Sequence, residues 1–139
     1  MGCKFFPSGN TGGQAGGWFN KEMNSLSDYK GLKMRIPGLG GEVVKAAGGN
    51  VVNLPGGEIS PALQSGALDA TEWVGPYNDL AFGLYKSAKY YYFPGWHEPA
   101  TVLDNFINRQ AWEKLPGDLK AIVEAANAAV NQMVLSEFV

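Results

Sequence analysis

The sequence predicts an α/β fold: a mostly parallel sheet with flanking helices and one long C-terminal helix. Three observations predict it. Short apolar stretches are each followed by a glycine- and proline-rich turn and then a helical pattern, in units that begin at Leu32, Val51 and Ala67. Glycine is abundant, 19 residues of 139, without a period or low-complexity block, as many tight strand–helix turns require. From Asp118 to about Phe138 apolar residues recur at three- and four-residue steps, the stripe of an amphipathic helix.

The elements follow in order. Phe5 to Phe19, FFPSGNTGGQAGGWF, is dense in Gly, Asn, Ser and Thr, and reads either as a flexible leader or as backbone passing close to a ligand or another chain. Trp18-Phe19 is an odd pair to leave in water, and Gln14 is the polar residue of interest there. Ser25 to Lys30 reads as one helical turn, started by Ser and Asp and stopped by Gly31. In Leu32-Lys33-Met34-Arg35-Ile36 the apolar residues fall at every second position, so a strand turns them to one face and Lys33 and Arg35 to the other. Pro37 and the glycines at 38, 40 and 41 end that strand, and a helix is predicted from near Gly41 or Glu42 to Gly48-Gly49. Val51, Val52 and Leu54 make a second strand, Pro55-Gly56-Gly57 a turn, and Glu58 to Ser65 a helix in which Pro61 falls within the first turn. Ala67 to Trp73 is the third strand, and Asp79 to Ala88 the next helix. Three strands alternating with helices imply parallel pairing. Tyr90 to Phe93 is strand-prone, Pro94 to Pro99 a turn, Val102 to Ile107 a strand, and Asn108 caps a helix holding Trp112 that breaks at Pro116-Gly117. The stripe of the last helix, Leu119, Ile122, Val123, Ala126, Val130, Met133 and Val134, reads as packing surface.

Composition excludes several classes of function. With 11 Lys and Arg that neither cluster nor interleave with aromatics, and a net charge of −2, no nucleic-acid surface is expected. No apolar run approaches a membrane span of about 18 residues, and no signal peptide is read ahead of the fold. The single cysteine, Cys3, rules out an internal disulfide. Gly38-Leu39-Gly40-Gly41 lacks dinucleotide and P-loop spacing. His97 is the only histidine, so a zinc cage of the usual ligands cannot be assembled within the chain, and no Ser lies in a Gly-x-Ser-x-Gly elbow. A structural or ligand-orienting role for His97 is preferred to that of a catalytic base. Arg35 is different. It ends a strand beside a helix N-terminus, where ligands collect in open α/β sheets, and its guanidinium can grip a carboxylate or phosphate with two parallel bonds. Glu72 ends another strand of the same sheet and approaches the same crevice. A carboxylate facing a carboxylate ligand is repulsive unless a cation or Arg35 lies between them.

Two long stretches carry a resemblance: GNTGGQAGGWFNKEMNSLSDYKGLKMRIPGLGGEVV, then LPGGEISPALQSGALDATEWVGPYNDLAFGLYKSAKYYYFPGWHEP. From about Phe5 almost to the end, the chain resembles the periplasmic solute-binding subunit of tripartite ATP-independent (TRAP) transporters, in the branch that takes 2-oxo acids, lactate and related monocarboxylates. The resemblance implies a periplasmic-binding-protein-like lobe, incomplete relative to a two-lobe family fold of roughly 300 residues. It divides residues 1–139, a single partial solute-binding domain, into one lobe from about 5–72 and 100–139 and a segment of about 73–99 crossing to the other. The chain's end on Ser-Glu-Phe-Val looks like truncation.

By the same resemblance Arg35 pairs with the substrate carboxylate. Gln14, Glu72 and Trp73 surround the substrate and a sodium or calcium ion held with it, Glu98 is a further metal position, and Asn10, Phe19, Tyr77 and Trp96 are walls of the cleft. The implied function is non-enzymatic: binding of a small organic acid such as pyruvate or lactate, in the periplasm, for delivery to the membrane permease subunits of a TRAP transporter. The alternative is a stand-alone interaction module of the same fold without ligand. Apolar faces and strand edges left uncovered imply a homo-oligomer, a dimer through about Trp73 to Pro99 or the long C-terminal helix.

Overall fold

Alternating side chains decide how the main sheet is covered. In the computed structural model, which describes residues 2–138, the chain divides into two units, residues 13–99 and residues 2–12 with 100–138. Within residues 13–99 lies a five-stranded sheet of β2 (Gly17–Phe19), β3 (Lys33–Arg35), β4 (Asn50–Val52), β5 (Ala70–Thr71) and β6 (Tyr90–Tyr92), in the order β4-β3-β5-β2-β6. Trp18 and Phe19 are neighbours on β2 and so point to opposite faces. Trp18 packs with Ile59, Leu63, Leu68 and Leu84, and Phe19 with Leu32, Met34, Ile36, Val44 and Ala70. Helices therefore cover both faces: α1 (Gly38–Ala46) supplies Val44 to one cluster, and α2 (Gly56–Gln64) supplies Ile59 and Leu63 to the other. Each such fully buried aliphatic side chain contributes about 1.5–3 kcal/mol relative to exposure.

The parallel pairing expected of the sheet holds for β3 with β4 and with β5, whereas β2 runs antiparallel to both β5 and β6. The segment that read as a leader or a close-passing loop thus contributes a central strand. Its glycines have a reason: Gly17 has φ +126°, and a Cβ there would lie 2.6 Å from the Thr71 carbonyl oxygen. The predicted helix from Asp79 to Ala88 is instead α3 (Pro76–Phe82), stopped by left-handed Gly83, followed by a 3₁₀ turn at Leu84–Lys86. Pro76 supplies the fixed φ of a helix start, three residues earlier than predicted. α1 also starts three residues early, at Gly38.

In the second unit β1 (Cys3–Asn10) pairs antiparallel with β7 (Val102–Asn108), with α4 (Arg109–Lys114) and α5 (Gly117–Phe138) following. Asn108 caps α4 as predicted, its Oδ1 accepting from the N–H groups of Gln110 and Ala111. Phe6 of β1 packs on Trp112 of α4, ring centres 5.0 Å apart, and Asn105 of β7 donates to Asn127 of α5 at 2.6 Å. The α5 stripe does not form a core. Leu119, Ile122, Val130 and Met133 are exposed, and the buried residue of α5 is Asn127. Two strands have too little surface to cover a 22-residue helix. Among the described residues no helix is long and apolar enough to cross a membrane.

Candidate functional site

Strand register builds the site. Arg35, the last residue of β3, pairs with Thr71 at the end of β5, so the next residue, Glu72, leaves the sheet beside it, its N–H donating to the Arg35 carbonyl at 3.1 Å. The side chains meet: Arg35 Nη1 stands 2.5 Å from Glu72 Oε1 and also faces the Glu72 carbonyl at 3.3 Å, while Nε reaches the Leu54 carbonyl at 3.3 Å. Only 12% of the Arg35 side chain and 4% of that of Glu72 remain exposed, so the pair is largely removed from water. Trp73 lies over the guanidinium, 5.5 Å from ring centre to Cζ, and is itself stacked on Phe82 at 4.7 Å.

His97 enters from the turn after β6. Its Nε2 is 3.6 Å from Glu72 Oε2, its side chain is 3% exposed, and among the described residues neither ring nitrogen has a hydrogen-bond partner. Gly40 in the first turn of α1 makes room for it, since a Cβ at Gly40 would lie 3.2 Å from the His97 Cβ. Glu98 follows, and Glu72, His97 and Glu98 each offer a ligand atom, all within 4.8 Å of one another. Two carboxylates suit a hard cation such as sodium or calcium, whose ligands are oxygens, whereas an imidazole nitrogen is not one of its usual ligands. Glu72 and Glu98 fit such an ion.

The other predicted residues fall as follows. Gln14 is buried in the loop before β2, its backbone N–H bonded to the Pro99 carbonyl and its carbonyl accepting from Gly95 at 2.7 Å. Tyr77 is half exposed in the first turn of α3. Phe19 and Trp96 share the lining of a different cavity, of about 290 Å³, with Met23, Tyr29, Tyr92 and Phe93, and that lining does not include Arg35 or Glu72. Asn10 lies in the β1–β7 unit, where its Oδ1 accepts from the Gly12 N–H.

Sequence reasoning left two residues off the list. His97 was read as structural or ligand-orienting but was not placed among the site residues. Asp79, fully buried, accepts from Trp18 Nε1–H at 2.9 Å and from the Val74 N–H at 3.1 Å, pinning the segment that carries Glu72 and Trp73. Burial pushes the Asp79 carboxyl above its ordinary value despite these donors. Burial and the nearby Asp79 carboxylate push the Tyr91 phenol up in turn.

A guanidinium, two carboxylates and an imidazole thus gather beyond the ends of the sheet strands, the place where ligands collect in open α/β folds. Residues 5–139 match the family model described as bacterial extracellular solute-binding protein, family 7, and the chain belongs to this family. It is 54% identical over 133 residues to the monocarboxylate 2-oxoacid-binding periplasmic protein of Nostoc sp., covering 96% of this chain and 36% of that one. A TRAP periplasmic solute-binding protein from Pseudoalteromonas atlantica, solved with sodium and pyruvate, aligns with a TM-score of 0.88 and 47% identity over 99% of this chain and 41% of its own. Its counterpart from Colwellia psychrerythraea, solved with calcium and pyruvate, aligns at 0.89 and 49% over 98% and 42%. The resemblance drawn from the sequence, and the α/β class drawn with it, hold. The chain spans about two fifths or less of the length of these relatives.

Proposed function

We propose that this chain is the ligand-binding part of a TRAP-type receptor that takes a 2-oxo or 2-hydroxy monocarboxylate, such as pyruvate or lactate, together with a sodium or calcium ion. The observation that carries the reading is the buried Arg35–Glu72 pair with His97 and Glu98 gathered around it. Arg35 presents its guanidinium to the substrate carboxylate. Glu72 and Glu98 hold the cation, with Gln14 and the Trp73 segment beside it, and the cation neutralises what would otherwise be a repulsion between carboxylates. The cation supplies positive charge next to the substrate, and the protein's own residues orient the acid and exclude water. Trp73 walls the site, with Tyr77 and Trp96 assigned to the wider cleft.

In the whole protein this is a periplasmic receptor that hands its acid to membrane permease subunits, acting by binding and without turnover. The lobe division drawn from the resemblance, and association of this chain into a homodimer, belong to the same reading. Calorimetry of the 139-residue chain against a panel of 2-oxo and 2-hydroxy acids, with calcium, with sodium and with a chelator, tests it. Saturable binding of pyruvate or lactate that needs the cation is the expected result. Silence across the panel transfers the chain to the second reading, an interaction module, which the exposed Phe5 and Phe106, paired across β1 and β7, favour.

A further inference from the structure

The Arg35–Glu72 contact joins the two groups that the proposed ligands need. Arg35 is the anion-binding group, and its Nη1 is committed to Glu72 Oε1 and the Glu72 carbonyl. Glu72 is the cation-binding group, and its Oε1 is committed to Arg35, with only Oε2 turned toward His97. A carboxylate ligand that draws Arg35 away leaves a nearly inaccessible Glu72 without its counter-charge. A cation that draws Glu72 away leaves Arg35 without its own. Either ligand alone competes with a desolvated ion pair for the charge it needs, whereas the two together replace that pair with two new ones.

We propose that Arg35 and Glu72 form a latch: in the ligand-free site each blocks the other's ligand, so cation and carboxylate each bind weakly alone and tighten one another by the same factor. This rests on the function proposed above. Reciprocity is a thermodynamic requirement once the coupling exists, and couplings of this kind are typically about 5- to 150-fold. The latch differs from simple attraction between a cation and an anion in what it says of each ligand by itself. Removing one partner of the pair should improve binding of the other partner's ligand.

Two variants and one control test this by calorimetry on the full chain. Arg35→Gln should bind calcium alone at least about fivefold tighter than the wild type, because Glu72 is released. Glu72→Gln should bind pyruvate in the presence of a chelator at least about fivefold tighter than the wild type does under the same conditions, although it has lost a cation ligand. Lys33→Gln removes the same charge two residues away on β3, where Lys33 is half exposed and 3.9 Å from Asp69, and should leave calcium affinity unchanged. If Lys33→Gln tightens calcium as much as Arg35→Gln does, the effect is diffuse charge and the latch is wrong. In a chain that binds pyruvate with calcium present, a gain in neither variant, or in only one, overturns the latch and leaves the functional reading standing. Wild type that ignores pyruvate with calcium present, while Arg35→Gln still tightens calcium, removes the 2-oxo acid reading and leaves the latch. Should either variant fail to melt cooperatively, the other still decides.

Discussion

Replacing Arg35 by Met tests whether the buried pair holds the end of β3 to the end of β5. The substitution keeps much of the side-chain volume and removes the charge, leaving Glu72 with 4% of its side chain exposed and the His97 ring 3.6 Å away. Stranding one member of a buried pair costs about 3–5 kcal/mol. Arg35 retains some exposure, 12%, so the lower end applies, about 3 kcal/mol, which is more than a hundredfold in the ratio of folded to unfolded chains. Loss of the stack on Trp73 adds about 0.5–1 kcal/mol. Urea titration followed by tryptophan fluorescence should show a lower midpoint with an unchanged slope, since the surface exposed on unfolding is the same. The pair then predicts something a generic packing defect does not. The double variant Arg35→Met, Glu72→Met should be more stable than Arg35→Met alone, because no charge is left buried. A single variant costing under about 1 kcal/mol, or a double variant costing the sum of the two singles, would refute the reasoning.

Further outcomes are expected. Arg35→Lys should weaken carboxylate binding by about 2–5 kcal/mol in calorimetry despite keeping the charge, since an ammonium cannot form two parallel bonds, and an unchanged affinity takes Arg35 out of the site. Glu72→Gln should abolish the dependence of carboxylate binding on the cation, and a curve as sensitive as the wild type's shows that Glu72 is no ligand. Asp79, whose folded pKa is raised by burial, binds its proton more tightly in the folded chain, so its contribution is greatest below the ordinary value of 3.8 and declines as pH rises through the raised one. The stability advantage of wild type over Asp79→Asn should therefore shrink between pH 4 and pH 7 in urea melts, and an advantage that widens means the shift has the opposite sign. At micromolar concentration light scattering should report a dimer, and a monodisperse 14.9 kDa monomer with a cooperative melt refutes it.

What the sequence made legible was the part governed by local pattern. The alternation around Met34 correctly placed Leu32, Met34 and Ile36 in the core and Arg35 at a strand end, and Asn108 announced its helix by its capping chemistry. What stayed hidden was pairing between distant parts of the chain. β1 carries Pro7, Ser8 and Gly9, weak strand formers with an irregular register between Pro7 and Gly9, and it is a strand because β7 lies alongside. β2 has three residues, and its antiparallel placement between β5 and β6 has no local signature. The α5 stripe shows the converse error: periodicity reports an apolar face and says nothing of what covers it. Within the candidate site, Arg35 and Glu72 were named from strand ends, and Trp73 and Glu98 from the resemblance. His97 was read as a structural or ligand-orienting residue without a place in the site, because its neighbour Glu72 is reached only through the fold.

The Asp79 network gives the site its rigidity at a distance from any ligand. Glu72 and Trp73 follow a strand of two residues, too short to fix the direction of the chain beyond it. Direction comes from the far side. The Val74 N–H donates to Asp79 Oδ1, the Asp79 N–H to the Gly75 carbonyl, and the indole of Trp18 on β2 to Asp79 Oδ2, so one buried carboxylate ties the segment after Trp73 to the first turn of α3 and to the middle of the sheet. A neutral Asn could satisfy one of these donors with its single oxygen and would turn an NH₂ group toward the other. Asp79 brings two oxygens to the two divergent donors, where Asn brings one. Holding the backbone around Glu72 in this way leaves only its side chain to move when the contact with Arg35 gives way, which lowers the ordering that binding must impose.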